Sequence, residues 1–118
     1  MVKQPDITEY LQAALRGLSL RHSVIANNIA NLHTEGYRRS TVPFEERLAE
    51  AITAGTGIDV GELREAVIQP KNTPVGSSGN DVDLHTEIGE LVKNVGMHKT
   101  YLRLLAKLYG QMELAMRT

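Results

Sequence analysis

The sequence contains no cysteine and no tryptophan, and its aromatic side chains are one phenylalanine and four tyrosines. The absence of cysteine excludes disulfides, thiolate metal ligands and a cysteine nucleophile. Because large aromatic side chains are scarce, aliphatic residues must supply most of the buried surface. A chain of 118 residues has the length of one domain with a modest core, so we expect a single domain over residues 1–118.

The sequence also lacks a strong charge of either sign and any long apolar run. Thirteen Lys and Arg balance fourteen Asp and Glu, which leaves no basic field to attract nucleic acid. No stretch of about 18 consecutive apolar residues is present, so no membrane insertion is predicted. Residues 1–6 lack the basic and then apolar pattern of a secretory signal, so we expect no cleaved signal peptide.

Near the N-terminus, apolar residues recur at intervals of three and four positions, which predicts an amphipathic helix over residues 6–33. Asp6 suits the helix start because its carboxylate can accept early backbone N–H groups, and Gly36 suits the stop. His22 interrupts the apolar series. The residues expected to pack on this face are Leu11, Leu15, Leu18, Ile25, Ile29 and Leu32.

A stricter pattern occupies the C-terminal part, where a helix is predicted over residues 81–117 with Asp81 or Asp83 as its cap. Its apolar positions follow a seven-residue repeat, the pattern of a coiled coil, broken only at His98. Such a helix would extend about 50 Å, more than a compact domain of this size needs, so its apolar stripe requires a partner. The stripe contains Leu84, Ile88, Leu91, Val95, Leu102, Leu105, Tyr109, Met112 and Met116.

These patterns predict an all-α fold in which the two long terminal helices form a coiled-coil-like antiparallel pair. The intervening residues 34–80 are less regular. A short helix is predicted over residues 44–53, where one face would hold Phe44, Leu48, Ala51 and Ile52. Glycine and proline recur over residues 54–80, which indicates an extended loop.

Three asparagines fall within about one turn near the end of the first helix, at Asn27, Asn28 and Asn31. Asparagine competes for backbone groups in a helix, so such a cluster needs compensating hydrogen bonds. Asn28 lies between two apolar positions, where a partly buried amide can fix the register of helix packing. The alternative is a polar helix end that frays into a turn.

This stretch resembles the N-terminal signature of the flagellar basal-body rod and hook proteins. Glu35 stands where that signature usually has proline, and residues 80–84 resemble the opening of the family's long terminal helix. The matching positions are Ala26, Asn27, Asn28, Ile29, Ala30, Asn31, Thr34, Gly36, Tyr37 and Arg38.

The resemblance implies a structural subunit rather than an enzyme, with no cofactor and no small-molecule substrate. Its implied partners are other copies of itself, other rod subunits, the protein at the junction of the membrane ring and the rod, and the flagellar type III export apparatus. It implies a location in the rod on the periplasmic side. We further expect neighbouring subunits to hold the loop over residues 54–80 in place.

The short middle segment narrows the choice within the family, because distal rod and hook proteins carry large β-rich domains between their terminal helices. Only about fifty residues separate the helices here, which resembles the proximal rod proteins. The sister proximal rod protein and other axial subunits remain alternatives. Outside the family, the alternative is a cytosolic helical adaptor or export chaperone.

The four histidines, His22, His33, His85 and His98, have no short ligand spacing, so no metal site is predicted. Interruption of an apolar face by a histidine fits either a hydrogen-bonded ring or a ring that faces the edge. A pH-sensitive helix pair is the alternative. The acidic residues around position 83 lack the glycine of a calcium loop, which favours helix capping over metal binding.

Overall fold

The computed structural model describes residues 5–117. It contains the four helices α1 (Ile7–Ala30), α2 (Phe44–Ala54), α3 (Val60–Glu65) and α4 (Leu84–Arg117). Within this described part there is no β-strand, and the pairing of Thr41 with Ile68 is an isolated antiparallel bridge. The predicted all-α architecture is confirmed.

Helix α1 begins where the sequence predicted and ends earlier. The Asp6 carboxylate accepts the backbone N–H of Glu9 at 3.1 Å, which caps the first turn. The helix ends at Ala30 instead of residue 33, and Gly36 does not terminate it. Gly36 instead has φ +72° in a turn closed by the hydrogen bond from the Tyr37 N–H to the Thr34 carbonyl. A positive φ at the third position is the requirement of a type II turn, which glycine meets without strain.

Helix α4 begins at Leu84, three residues later than predicted, because Asp83 is its cap. The Asp83 carboxylate accepts the backbone N–H of His85 at 3.1 Å and the Thr86 hydroxyl at 3.0 Å. With 34 residues, α4 spans about 51 Å and sets the long dimension of a molecule measuring 65 × 29 × 16 Å.

Helices α1 and α4 run antiparallel along each other. Asn28 contacts Glu87 near one end of the pair, and the Gln12 amide donates to the Tyr109 hydroxyl at 2.6 Å near the other. The predicted antiparallel pairing of the terminal helices is therefore confirmed. Helices α2 and α3 pack against α1, which places the compact core beside α1.

The core is built around Phe44, which is almost completely buried. Its ring lies so close to Gly17 that a Cβ on that glycine would approach the ring to 2.6 Å. The Arg21 guanidinium stacks over the ring at 4.5 Å from its centre, donates to the Val42 carbonyl and pairs with Glu45. The other buried apolar residues of this core are Ala13, Ala14, Leu18, Val42, Ala51, Ile58, Leu63 and Ala66.

The predicted loop over residues 54–80 is corrected in part, because it contains α3. Asp59 caps this helix by accepting the Glu62 N–H at 2.8 Å, and α3 buries Leu63. The remaining loop is positioned by the chain itself: Ile68 and Thr41 exchange two backbone hydrogen bonds, and the Gly36 N–H donates to the Ser78 carbonyl. The expectation that neighbouring subunits also hold this loop in place stays a prediction.

The face of α4 that meets α1 differs from the predicted one. The only α4 residues that are fully buried within the described chain are Glu87 and Asn94, whereas Ile88 and Leu102 are 45% and 46% exposed. The buried face is thus centred one position before the predicted stripe. The physical reason is that Glu87 and Asn94, which look like solvent-facing residues in sequence, find hydrogen-bond partners on α1.

On α1 the residues of the predicted packing face differ in burial. Leu11, Leu18 and Ile25 are buried. Leu15, Ile29 and Leu32 are partly buried at the edges of the same face.

Candidate functional site

A cluster of polar side chains joins the end of α1, the following turn and the start of α4. We call it the polar cluster; it consists of Asn27, Asn28, Tyr37, Arg38, Arg39, Asn80, Asp81 and Glu87. Seven of the ten positions that carry the family resemblance form hydrogen bonds through their side chains or, for Gly36, through the backbone N–H to the Ser78 carbonyl; they are Asn27, Asn28, Asn31, Thr34, Gly36, Tyr37 and Arg38.

Asn28 is the centre of the polar cluster and is fully buried. Its side-chain oxygen accepts the Tyr37 hydroxyl at 2.9 Å and the Ser40 N–H at 3.0 Å. Its amide donates to the Ser40 carbonyl at 2.8 Å and to Glu87 Oε2 at 3.2 Å. The side chain therefore uses both acceptor positions and both donors. Of the two readings that the sequence allowed, these bonds favour a buried Asn28 amide that can fix the register of helix packing over a frayed helix end.

Glu87 connects α4 to this amide. Its carboxylate is fully buried, and its Oε1 accepts from Arg39 Nε at 2.6 Å while Oε2 accepts from Asn28. The Arg39 side chain is only 11% exposed. A buried carboxylate of this kind is tolerated because an opposite charge and a hydrogen bond replace its lost hydration.

Asp81 holds the turn that follows the motif. It accepts the Arg39 backbone N–H at 2.6 Å, Arg38 Nε at 3.1 Å and the Thr73 hydroxyl at 3.1 Å. Burial by itself would raise the pKa of Asp81. The hydrogen bonds from Arg39, Thr73 and Arg38, together with the Arg38 charge, outweigh that effect and lower the pKa below its usual range.

Tyr37 bridges the asparagines. Its hydroxyl donates to Asn28 and accepts from the Asn27 amide at 3.1 Å. Burial raises the pKa of this phenol; the Asn27 hydrogen bond opposes the rise, and the negative charges of Glu87 and Asp81 add to it. The phenol therefore stays protonated at neutral pH and keeps its donor role.

Asn80 supplies the helix-ending interactions that the sequence assigned to Gly36. Its amide donates to the carbonyls of Asn31, Leu32 and Thr34, at 2.8, 3.2 and 2.7 Å. Its side-chain oxygen accepts the Val82 N–H at 2.7 Å. The carbonyl groups left free at the end of α1 are thereby satisfied by a residue 49 positions away.

The remaining motif residues act locally. The Asn31 amide donates back to the Asn27 carbonyl at 2.8 Å, and the Thr34 hydroxyl donates to the Asn31 side chain at 3.0 Å. Ile29 is partly buried, whereas Ala26 and Ala30 lie exposed on the outer surface of α1.

Sequence reasoning did not assign Arg39, Asn80 or Glu87 to this site. Each is an ordinary polar residue in its local context, and its partner is more than 40 positions away in the chain. The only local signal was the opening residues 80–84, which resembled the family's terminal helix without indicating which bonds they form.

A second feature is an apolar surface on α4 that the rest of the described chain covers only in part. We call it the uncovered stripe; Leu91 and Leu105 are partly buried at its edge, and Met112 is half exposed. Exposed apolar surface in a continuous row marks an interaction site more often than a free surface. The uncovered stripe consists of Leu84, Ile88, Val95, Leu102, Tyr109 and Met116, which are between 36% and 84% exposed.

Two features of other function classes are absent from residues 5–117. No three side chains of the metal-binding types come together in this part of the chain. None of its helices is both long and apolar enough to cross a membrane. His22 is exposed and His98 partly exposed at the edge of the α1–α4 contact, as expected for rings at the edge of an apolar face.

The chain is similar in sequence to known flagellar proteins. A family model described as flagella basal body rod protein matches residues 11–38, which include the motif and most of α1. Three curated relatives are each called flagellar basal body rod protein FlgB. The protein from Borrelia hermsii is 30% identical over 107 residues, which cover 75% of this chain and 79% of that protein.

The other two relatives agree. The protein from Bacillus subtilis is 31% identical over 93 residues, which cover 71% of this chain and 72% of that protein. The protein from Borreliella burgdorferi is 26% identical over 118 residues, which cover 85% of this chain and 87% of that protein. With the motif in the polar cluster and relatives of 30% and 31% identity matched over more than two thirds of their length, this structural, non-enzymatic chain belongs to the FlgB family of flagellar basal body rod proteins.

Proposed function

We propose that the chain polymerises through its two terminal helices, with the polar cluster fixing their register and the uncovered stripe contacting neighbouring subunits. It is a structural subunit of the flagellar proximal rod, the inner segment of the motor's drive shaft. In this role the fold itself carries the function. No reacting group is required, because the task is to transmit load between subunits.

The observation that carries this proposal is the uncovered stripe. The chain already has a buried core, yet six large side chains along one helix remain 36% to 84% exposed. Full burial of a leucine side chain is worth about 1.5–3 kcal/mol, so a half-exposed one such as Leu102 retains about 1 kcal/mol for a partner. Several such residues in a row supply the cohesion of a subunit contact, and assembly then adds to the stability of each folded subunit.

The polar cluster contributes in a different way. Buried polar pairs add little net stability compared with apolar packing, but they penalise any arrangement that breaks them. A shift of α4 by one turn along α1 would separate Glu87 from both Asn28 and Arg39. The cluster thus keeps the helix pair, and with it the uncovered stripe, in one geometry for every subunit.

The finer assignments follow from membership in the family. We propose that residues 1–118 act as one axial domain whose partners are other copies of itself, other rod subunits and the protein that joins the membrane ring to the rod. The chain is delivered by the flagellar type III export apparatus without cleavage of a signal peptide and is located on the periplasmic side. No nucleic acid, small-molecule substrate, cofactor or membrane insertion enters this function.

The experiment is a complementation test in a strain that lacks the gene. Leu102→Asp places a charge in the uncovered stripe without touching the core, so the purified chain should keep its fold while rods are not completed. Thr100→Asp is the matched control, since Thr100 is exposed, lies two positions away and is outside the stripe. Circular dichroism checks the fold, and electron microscopy of basal bodies together with swimming assays checks assembly.

Two results would overturn the proposal. One is normal rods and swimming with Leu102→Asp. The other is complete rods in the deletion strain, with the protein retained in the cytoplasm, which would indicate the adaptor or export chaperone instead.

A further inference from the structure

Two neighbouring cavities on one side of the molecule form a continuous groove. The first encloses about 460 Å³ between α1 and α4, and the second encloses about 440 Å³ where α1 meets α3. Ser19 of α1 and His98 of α4 line both cavities, so the two are joined at these residues. We call the joined cavities the basic groove.

The charged side chains of the basic groove are all of one sign. Arg16 comes from α1, Arg64 from α3 and Lys99 from α4, and no Asp or Glu of the described chain lines either cavity. The three residues are exposed, and none of them forms an ion pair within residues 5–117. Three helices thus bring three unpaired cations to one groove, which attracts negative charge on a partner.

The walls between these cations are mostly apolar. Leu15 and Leu63 line the second cavity, and Val95 and Leu102 line the first. Val95 and Leu102 are 36% and 46% exposed, so the basic groove borders the uncovered stripe. An apolar groove with cations along it favours an occupant that carries both apolar side chains and carboxylates.

The floor of the first cavity adds a polar requirement. Asn94 is 2% exposed there, and its amide donates to the Leu18 carbonyl at 2.8 Å. Its side-chain oxygen has no donor within residues 5–117. Because a buried acceptor is costly to leave unpaired, an occupant gains from carrying a donor such as a hydroxyl or a free backbone N–H.

These requirements distinguish between classes of occupant. A fatty-acid anion has an apolar chain, but it carries a single charge at one end and no donor along its tail. An acidic polypeptide segment in an extended conformation offers carboxylates, apolar side chains and free backbone N–H groups along its length. Cations on three helices and a buried acceptor between them match the polypeptide.

The chain has no matching segment of its own. Eight of its fourteen acidic side chains already cap helices or form ion pairs. No stretch of ten residues contains more than two of the remainder, so a second copy offers at most two carboxylates to three cations. The remaining acidic residues are Glu9, Glu35, Glu46, Glu50, Glu62 and Glu90.

We propose that the basic groove binds an extended acidic segment of a second, different protein. The carboxylates of this segment pair with Arg16, Arg64 and Lys99, its apolar side chains pack on the walls, and a donor on it reaches Asn94. The inference deepens the proposed function, on which it rests, because it gives the chemistry of one partner. Arg16 and Arg64 lie outside the uncovered stripe, so the groove is tested without changing the proposed subunit contact.

Fluorescence anisotropy measures the contact directly. The probe is a labelled peptide in which glutamate alternates with leucine around a central serine. We expect saturable binding at low salt, about tenfold tighter than that of the same peptide with glutamine in place of glutamate. Absence of saturable binding, or equal binding of the two peptides, would overturn the proposal. Stronger displacement by oleate than by unlabelled peptide would overturn the polypeptide as the occupant.

A double variant, Arg16→Gln with Arg64→Gln, should weaken binding of the acidic peptide several-fold. Both residues are exposed and outside the ion pairs of the described chain, so the fold is kept, which circular dichroism checks. Lys93→Gln with Lys107→Gln is the matched control, because it removes the same charge from exposed α4 residues that do not line the groove. Equal effects of the two double variants would show a general attraction between opposite charges and overturn the site.

A photo-crosslinking residue in place of Ser19, which lines both cavities, identifies the occupant in cells. We expect an adduct whose crosslinked segment is acidic and belongs to a different protein. An adduct with a second copy, or with a segment that has no acidic residue, would overturn the inference. Rods that contain this variant without any adduct would overturn the contact and leave the rod role intact. Failure of the unmodified chain to enter rods would instead overturn the proposed function, and the inference that rests on it.

Discussion

Replacement of Glu87 by glutamine is the most informative test of the polar cluster, because it keeps the shape of the side chain and changes only its hydrogen bonding. The carboxylate receives one donor on each oxygen, from Arg39 Nε at 2.6 Å and from the Asn28 amide at 3.2 Å. A glutamine has one oxygen and one NH₂ group. Whichever way it is turned, its NH₂ faces one of these two donors, so one donor is left unpaired and the Arg39 charge loses its partner.

The size of the effect follows from the burial of both partners. Breaking a buried ion pair by removing one charge costs about 3–5 kcal/mol, and we expect the lower end because the glutamine oxygen can keep one bond. For a domain of this size, about 3 kcal/mol corresponds to a fall in Tm on the order of 10–20 °C. Urea and thermal unfolding of the purified chain, followed by circular dichroism, measure this loss.

Glu90→Gln is the control, since Glu90 is an exposed residue one turn further along α4 and loses the same charge. It should change the free energy of unfolding by less than about 0.5 kcal/mol. If Glu87→Gln lies within about 1 kcal/mol of the wild type, the cluster does not restrain the helix pair as described. The double variant Glu87→Leu with Arg39→Met should lose less free energy of unfolding than the sum of the losses of the two single variants. Each single variant leaves one buried charge unpaired, whereas the double variant removes both charges.

Three further outcomes are expected. Gly17→Ala should destabilise the chain by about 1–3 kcal/mol in urea unfolding, because the new Cβ would overlap the Phe44 ring. As a control, the new Cβ of Gly89→Ala in α4 meets no atom, and this variant should stabilise the chain by up to about 1 kcal/mol. Equal effects of the two substitutions would contradict the close approach of Gly17 to Phe44. Asp81 has a folded-state pKa below its usual 3.8, so its stabilisation is present above that pH and is lost as the pH falls through the lower folded-state pKa. Asp81→Asn should flatten the acid limb of the unfolding free energy below about pH 4, and an unchanged limb would refute the assignment. Asn80→Ala removes the donor for three carbonyls at the end of α1 and should cost about 1–3 kcal/mol, with faster amide exchange in the last turn of α1; unchanged exchange there would show that water replaces the side chain.

Both terminal helices could be predicted from the sequence because their evidence is local. Apolar spacing and capping residues such as Asp6 and Asp83 lie within a few positions of the helices they define. Helix α3 was missed because its six residues, one of which is Gly61, are too few to give a periodic signal. Its capping aspartate with a glutamate three positions later, Asp59 and Glu62, was the clue available.

The contact face of α4 could not be predicted in the same way. Heptad spacing identifies apolar residues, but the residues that meet α1 include Glu87 and Asn94, which spacing alone assigns to the solvent side. Their burial depends on Asn28 and on the Leu18 carbonyl, which are 59 and 76 positions away. Likewise, the motif residues were recognised in sequence, but the pairing of Arg39 with Glu87 exists only in the folded chain.

The distance along the chain between Asn28 and Glu87 has a consequence for the order of folding. The two residues are separated by 59 positions, so neither terminal segment can complete the polar cluster alone. A chain emerging from a narrow channel, with either end first, gains this contact only after more than half of its length is outside. Until then the Asn28 amide and the Glu87 carboxylate lack their contact with each other, and premature pairing of the helices is disfavoured. In any chain that emerges from such a channel, the cluster would make the finished helix pair a late event.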